Sequence, residues 1–209
     1  MLPEQFLARM KCILGEEYQD FLDRSEKPPW QSLRINRLKG GGEPERKLKA
    51  LMDMEPVPWN SDGYYYKEEA RPGKHPFHEA GVYYIQEASA MLPAVYLDAK
   101  PGEVVLDLCA APGGKSTQIA AAMGGRGLLV CNEIHPGRAK ILSENIERMG
   151  ICNAVVTSHE PAVLAERFPG YFDKILVDAP CSGEGMFRKN GEAAFQWSPE
   201  NVAMCAKRQ

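Results

Sequence analysis

No stretch of the sequence approaches the roughly 18 consecutive apolar residues that cross a membrane. The opening, Met1-Leu-Pro-Glu-Gln-Phe6, also lacks the basic-then-apolar layout of a secretory signal. These two absences lead us to expect a cytoplasmic chain with no membrane partner. The six cysteines (Cys12, Cys109, Cys131, Cys152, Cys181 and Cys205) contain no C-x-x-C pair, so a zinc site of neighbouring thiolates is not expected, nor any other metal. Without a secretory route the thiols should be reduced, and most should be small buried hydrophobes. Repeats and low-complexity tracts are missing, which excludes repeat arrays and long disordered tails. A basic excess is lacking as well. The 25 Lys and Arg against 28 Asp and Glu leave a net charge of −3, the wrong sign for holding nucleic acid by bulk charge.

Locally that balance reverses. Between Arg34 and Lys49 there are six basic residues (Arg34, Arg37, Lys39, Arg46, Lys47 and Lys49) and two acids (Glu43 and Glu45), a local excess of four. One reading is a solvated face. The other is a phosphate-contacting patch, for which a few cations held together suffice.

The 209 residues are enough for one large domain, or one domain with a small extension. The first hundred read as mixed α+β. Phe6, Leu7, Met10, Ile13 and Leu14 share one helical face, with Pro3 suited to the first turn and Gly15 to the stop. Glu16 to Asp23 continues as a second short helix with Tyr18, Phe21 and Leu22 inward. Ser32 to Leu38 alternates as a strand, Gly40-Gly-Gly42 is a flexible joint, and Glu45 to Met52 reads as a helix. Tyr64-Tyr-Tyr66 reads as a strand after an Asp62-Gly63 turn. Val82-Tyr-Tyr-Ile85 is another strand, and 88–97 a helix in spite of Pro93.

Beyond Gly102 the pattern becomes regular: strand 103–108, helix 115–123, strand 127–132, helix 136–149, strand 152–157, helix 161–168, strand 173–178, and a final helix from Ser198. Such alternation predicts an α/β fold with a parallel, doubly wound sheet. We therefore expect a small N-terminal α+β extension over 1–98 and the α/β domain over 99–209. Only four strands of the sheet are visible, and one ending at 173–178 would expose a parallel edge. A chain cut short of a fuller sheet at Gln209 is the expectation.

Two loops of this domain carry chemistry. The first, Asp107-Leu-Cys-Ala-Ala-Pro-Gly-Gly-Lys-Ser-Thr117, joins the first strand to a helix N-terminus, where free backbone N–H groups attract anions. Its Gly114-Lys115-Ser116 end resembles a nucleotide triphosphatase loop, and Asp178 could then be a magnesium acid. That pattern needs glycine at 109, where this chain has cysteine. The alternative spacing runs Asp107-x-Cys109-x-Ala111-x-Gly113. It places Glu133 at the end of the next strand, where doubly wound folds hold ribose hydroxyls. By itself this fits a dinucleotide as well as S-adenosylmethionine. The second loop, Asp178-Ala-Pro-Cys-Ser-Gly183, follows the fourth strand at the carboxyl edge of the sheet. Asp178 is placed to contact a substrate or orient a proton transfer. Cys181 reads either as a rigidly presented thiol or as a buried structural one, and Cys109 as a small loop residue with a backbone role.

Leu108-Cys-Ala-Ala-Pro-Gly-Gly-Lys-Ser-Thr117 and Val177-Asp-Ala-Pro-Cys-Ser-Gly183 resemble the two signature motifs of the Sun-type RNA cytosine-5 methyltransferases. Arg71-Pro-Gly-Lys-His-Pro76, Tyr84-Ile-Gln-Glu-Ala-Ser-Ala-Met91 and Leu2-Pro-Glu-Gln-Phe-Leu-Ala-Arg-Met10 are similar to the branch acting on bacterial small-subunit ribosomal RNA. The resemblance covers nearly the whole chain. It implies a Rossmann-like methyltransferase fold, with S-adenosylmethionine held by Cys109, Ala110, Ala111, Pro112, Gly113, Gly114 and Lys115, and Glu133 on the ribose. It further implies Arg138 as the basic residue five positions later, Glu160 by position near the adenine, and Asp178 beside methyl donor and target base. The ribosomal RNA partner, and an RNA-facing role for residues 1–98, belong to the same implication.

Carbon 5 of cytosine is a poor nucleophile, so the family's chemistry adds a thiolate at carbon 6 to make carbon 5 enamine-like. The base must be unstacked or presented in a loop. The family's attacking cysteine lies in a Thr-Cys motif on the strand after the final helix, which here would fall beyond Gln209. The 209 residues contain no such pair. Cys181 matches the other cysteine, implied to assist product release. The isolated chain is then expected to be inactive. The competing function is a non-catalytic RNA-binding or assembly protein that keeps the fold.

Overall fold

A computed structural model describes residues 2–39, 42–187 and 191–209, so Gly40 and Gly41 of the expected joint lie outside the described residues. The chain folds as two compact units. Trp30–Asp178 makes one; the two chain ends, up to Pro29 and from Ala179 onward, make the other. No helix among the described residues is long and apolar enough to cross a membrane.

The unit of the chain ends is helical, with Glu4–Leu14, Tyr18–Ser25, Gly191–Gln196 and Pro199–Arg208. Its aromatic centre is Phe6, edge-on to Phe187 at 5.0 Å and Trp197 at 5.7 Å, and tilted against Phe21 at 6.1 Å. The expected inward row of the first helix is fully buried only at Phe6, and Ile13 is 61% exposed. Seven residues along a helix is about 10 Å, which carries Ile13 beyond the reach of those rings. The last helix starts where Ser198 predicts: its hydroxyl accepts the Asn201 N–H at 3.2 Å, and Pro199 takes the first turn. At its other end Gln209 folds back, its Nε2 donating to the Pro180 carbonyl at 3.0 Å.

Trp30–Asp178 holds two four-stranded sheets. In the first, antiparallel sheet, β1 (Ser32–Ile35), β2 (Glu55–Val57), β3 (Asn60–Tyr65) and β4 (Tyr83–Ile85) lie in the order β2-β3-β1-β4. Leu33, Ile35, Tyr64 and Tyr83 bury one core with Leu48 and Met52 of the helix Glu43–Met52. The turn before β3 is Pro58-Trp59 rather than Asp62-Gly63, which lies inside the strand. Gly63 serves close packing there, since a Cβ would come within 2.7 Å of Met91 Sδ. Pro93 falls in the first turn of the helix Leu92–Leu97, where its missing N–H breaks no bond.

The second sheet is parallel. Its strands β5 (Val104–Asp107), β6 (Leu128–Asn132), β7 (Ala154–Thr157) and β8 (Lys174–Leu176) lie in the order β7-β6-β5-β8. The expected α/β architecture with its four strands is therefore the one found. Val105, Leu129, Cys131, Ile119, Met123, Leu142 and Met149 form its core. The order reverses between β5 and β8, and such a switch point opens a crevice at the carboxyl ends of the strands. β8 ends the sheet on that side, with Ile175 and Val177 about half exposed.

Both sheets belong to one compact unit that runs across the 98/99 boundary read from the sequence. The reason lies in β1, all four of whose residues are buried. Its polar side does not face water. Asn36, just beyond, donates to the carbonyls of Gly81 and Met149, both at 2.8 Å, and Tyr84 of β4 enters the core of the parallel sheet. Gly81 permits this approach, because a Cβ there would lie 2.0 Å from the Arg148 carbonyl oxygen.

Candidate functional site

β5 ends in Asp107, and the chain turns through 108–113 into the helix Gly114–Met123. Small residues make the turn possible. Gly113, with φ +114°, is in a conformation that L side chains rarely adopt, and a Cβ would press on Leu142 Cδ1 at 3.2 Å. No side chain caps this helix, so its first N–H groups are left for a ligand or water. The loop is braced from outside: the Leu108 N–H donates to the Leu176 carbonyl at 2.9 Å and the Ala110 N–H to the Asn132 carbonyl at 2.8 Å. Arg138 Nη2 donates to the Ala111 carbonyl and Asn145 Nδ2 to the Pro112 carbonyl, both at 2.9 Å.

Asp107 is almost wholly buried. Its Oδ2 accepts the Ser116 hydroxyl at 2.7 Å, while Oδ1 has no hydrogen-bond partner. Burial lifts its carboxyl to about 6, opposed by the Ser116 hydrogen bond, the Lys115 charge and, more weakly, the nearby Cys109 N–H, and assisted by the Asp178 charge. Lys115 Nζ meets Asp178 Oδ2 at 2.6 Å, joining the loop to the residue just past β8 across the switch point. Glu133 is buried too. Its Oε1 accepts the His135 N–H at 3.1 Å and its Oε2 faces Arg138 Nη1 at 3.2 Å. The Cys109 thiol is raised, first by burial and then by the negative charges of Asp107, Glu133 and Asp178 around it, with Arg138 acting oppositely. A thiol so disfavoured as thiolate is a poor nucleophile, which agrees with a backbone role.

Asp107, Cys109, Lys115, Glu133, Arg138 and Asp178 are thus neighbours, with Ala110, Ala111, Pro112, Gly113 and Gly114 as the backbone between them. Glu160 is exposed at the start of the helix Pro161–Arg167 and its side chain caps nothing. Cys181 belongs to the unit of the chain ends, where its thiol is exposed, as are Cys12 and Cys152. Only Cys131 and Cys205 are buried, so the expectation of mostly buried cysteines fails. The structure therefore brings Asp178 together with the expected loop, Glu133 and Arg138, while no hydrogen bond or ion pair among the described residues joins Glu160 to them and the expected attacking thiol would fall past Gln209. Among the described residues no group of His, Cys, Asp and Glu could hold a metal ion. One organiser escaped the sequence reading. Buried Asn132 donates to the carbonyls of Leu108 (3.2 Å) and His159 (2.9 Å), and accepts the Thr157 hydroxyl (2.9 Å) and the His159 N–H (3.0 Å). It ties together the carboxyl ends of three strands. Its only trace in the sequence is an amide closing an apolar run.

The basic cluster is largely engaged internally. Arg34 is buried, and Arg37 lies between Asp62 and Glu45. Lys39 donates to the Ala80 and Arg148 carbonyls, and Lys49 pairs with Glu45. That leaves Arg46 exposed and Lys47 in a solvent-facing pair with Glu43.

Two family models match the chain. Residues 2–88 match the N-terminal domain of 16S rRNA methyltransferase RsmF, and residues 94–209 match 16S rRNA methyltransferase RsmB/F. The chain belongs to the RsmB/F family. The ribosomal RNA small subunit methyltransferase F of Pectobacterium carotovorum is 40% identical over all of this chain and 45% of its own length. That of Aliivibrio fischeri is 39% identical over 96% of this chain and 45% of its own length. This chain therefore spans a little under half of these curated RsmB/F relatives. A methyltransferase homolog from Pyrococcus horikoshii has a solved structure that superposes with a TM-score of 0.78 at 33% identity, over 91% of this chain and 63% of that one. NSun6 from the same organism, solved with SFG, gives 0.81 at 19% identity over 99% and 77%, a likeness of fold alone.

Proposed function

We propose that this chain carries the S-adenosylmethionine site and part of the catalytic apparatus of an RNA cytosine-5 methyltransferase acting on small-subunit ribosomal RNA in the cytoplasm. The observation that carries the reading is the uncapped helix N-terminus at 113–116 set beside buried Glu133 at the switch point of the sheet. The donor set fits the cofactor. The free N–H groups of the first helical turn suit its carboxylate, the carboxylate of Glu133 suits the ribose hydroxyls, and Asp107 Oδ1 is a buried acceptor awaiting a donor. When bound, S-adenosylmethionine supplies an electrophilic methyl group.

The chain's own residues do the rest. Arg138 fixes Glu133 and, through the Ala111 carbonyl, the turn of the loop. Cys109 to Lys115 cradle the cofactor chiefly by backbone, and Glu160 lies on the adenine side. Lys115 holds the Asp178 carboxylate ready for the target base. Cys181, three residues on, assists release of the methylated base, and the attacking thiol comes from a Thr-Cys motif beyond Gln209 that these 209 residues do not contain. Residues 1–98 supply the RNA-facing surface and 99–209 the cofactor-binding residues, although Trp30–Asp178 folds as one compact unit across that boundary. Calorimetry tests the cofactor. The chain should bind S-adenosylmethionine and not ATP, and Glu133→Gln should weaken that binding; tight ATP binding without methyl-donor binding would sink the reading. The isolated chain should leave a small-subunit rRNA transcript unmethylated.

A further inference from the structure

Arg34 is the largest fully buried side chain among the described residues, and no carboxylate among them pairs with it directly. Its Nε donates to Gln86 Oε1 at 3.1 Å. Its Nη2 donates to the Gly114 carbonyl at 3.1 Å and to Thr117 Oγ1 at 2.7 Å. Gln86 is itself fixed by its Nε2, which donates to the Ala90 carbonyl at 3.0 Å. A guanidinium from the antiparallel sheet therefore grips the first turn of the helix whose N–H groups form the cradle.

This placement is unfavourable for a protein with nothing in the cradle. Burial disfavours the charge, lowering the guanidinium to about 10, and a cation near a helix N-terminus opposes the helix dipole. A neutral amide could make comparable hydrogen bonds. Beyond attraction to the Asp62 carboxylate, which only partly offsets the cost of burial, what the cation adds is positive potential at the cradle, and that becomes favourable once an anion occupies it.

We infer that Arg34 is a positioning residue for the anionic end of the cofactor, shaping the Gly114–Thr117 turn and adding the charge that the ligand carboxylate meets. The inference rests on the proposed S-adenosylmethionine site. The carboxylate is the only anionic group of that cofactor, so the effect is confined to ligands that carry it. Glu133 and Arg138, at the ribose side, do not share in it.

The test compares two thioethers in the intact chain. S-adenosylhomocysteine keeps the amino-acid tail, and 5′-methylthioadenosine lacks it. Arg34→Gln should weaken S-adenosylhomocysteine about tenfold, the scale of one charge-assisted contact, and leave 5′-methylthioadenosine within about twofold. A merely structural role would weaken both ligands together, and that result, or no loss for either, overturns the inference. Should Arg34→Gln fail to fold, Thr117→Val keeps the charge and removes one acceptor at constant shape. It should weaken S-adenosylhomocysteine about threefold with the tail-less ligand unchanged, and equal effects on both again overturn the inference. If the unaltered chain binds neither S-adenosylmethionine nor S-adenosylhomocysteine, the cofactor reading itself falls and takes this inference with it.

Discussion

Replacing Asp107 by asparagine should make the protein more stable at neutral pH and worse at holding its ligand. In the folded chain the carboxyl titrates near 6, against 3.8 for an unperturbed aspartate, because burial penalises its charge. Between those values the folded protein binds the proton that the unfolded chain has released. Stability therefore falls as pH rises from about 4 to about 6, and the full penalty is present above 6. Two pKa units correspond to about 3 kcal/mol at most. The Asp107→Asn variant abolishes the titration, keeps an oxygen for the Ser116 hydroxyl, and puts an NH2 group where Oδ1 now lacks a partner. That NH2 needs an acceptor of its own, so the net gain at pH 8 should be roughly 1–3 kcal/mol. It should shrink towards zero near pH 4, where the native carboxyl is already protonated. Urea unfolding of both proteins from pH 4.5 to 8 reads the difference directly. A difference independent of pH, or one that grows on acidification, would refute the assignment of the buried charge to Asp107. The variant should also bind S-adenosylmethionine more weakly, because it has lost the buried acceptor that the ligand is proposed to use. A substitution that raises stability while weakening binding is the usual mark of a site residue.

Asn132→Leu leaves four polar groups of β5, β7 and the following loop without a partner. It should destabilise the fold by about 2–4 kcal/mol in a urea melt, and a loss under about 1 kcal/mol would mean that water replaces the amide. Alkylation of the native protein should label Cys12, Cys152 and Cys181 while sparing Cys131 and Cys205, whose thiols are inaccessible; the reverse order would contradict the fold. If the remaining exposed cations of the basic segment meet RNA phosphates, Arg46→Ala with Lys47→Ala should reduce the salt slope of RNA binding by about 0.7 for each phosphate no longer neutralised. Arg37→Ala should not, since that side chain is engaged by Asp62 and Glu45. An unchanged slope in the double variant would leave the segment a solvated face.

What could be read from the sequence, and what could not, divides by distance along the chain. The strands and helices expected after Gly102 are placed within two or three residues, because hydrophobic runs, small-residue turns and a Ser-Pro cap are local signals; the helix Gly191–Gln196, in a stretch read as loop, is missed. Glu133 is legible for the same reason, an acid closing an apolar strand; Asp107 shows in the sequence only as the acid that opens the loop, and its burial and role come from the structure. The braces are not local. Arg138 reaches the Ala111 carbonyl from 27 residues away, Asn145 reaches Pro112 from 33, and Arg34 reaches Thr117 from 83. Along the chain, Arg34 and Asn36 look like the wet side of a half-buried strand, and Arg34, Arg37, Lys39 and Lys49 look like positive surface. Folding commits each of these polar groups to a carbonyl, hydroxyl, amide or carboxylate that no window of 15 residues around β1 would have identified as its partner, Glu45 excepted. Counting charge along a segment therefore overstates what RNA can meet, and reading a glycine loop by itself understates what shapes it. The cofactor loop is a local motif held in shape by distant residues, two of which, Arg34 in β1 and Gln86 just past β4, come from the region of the antiparallel sheet. If the proposed cofactor site and the inferred role of Arg34 hold, the N-terminal region shapes that site, and substitutions in β1 should be felt in cofactor binding before they are felt in RNA binding.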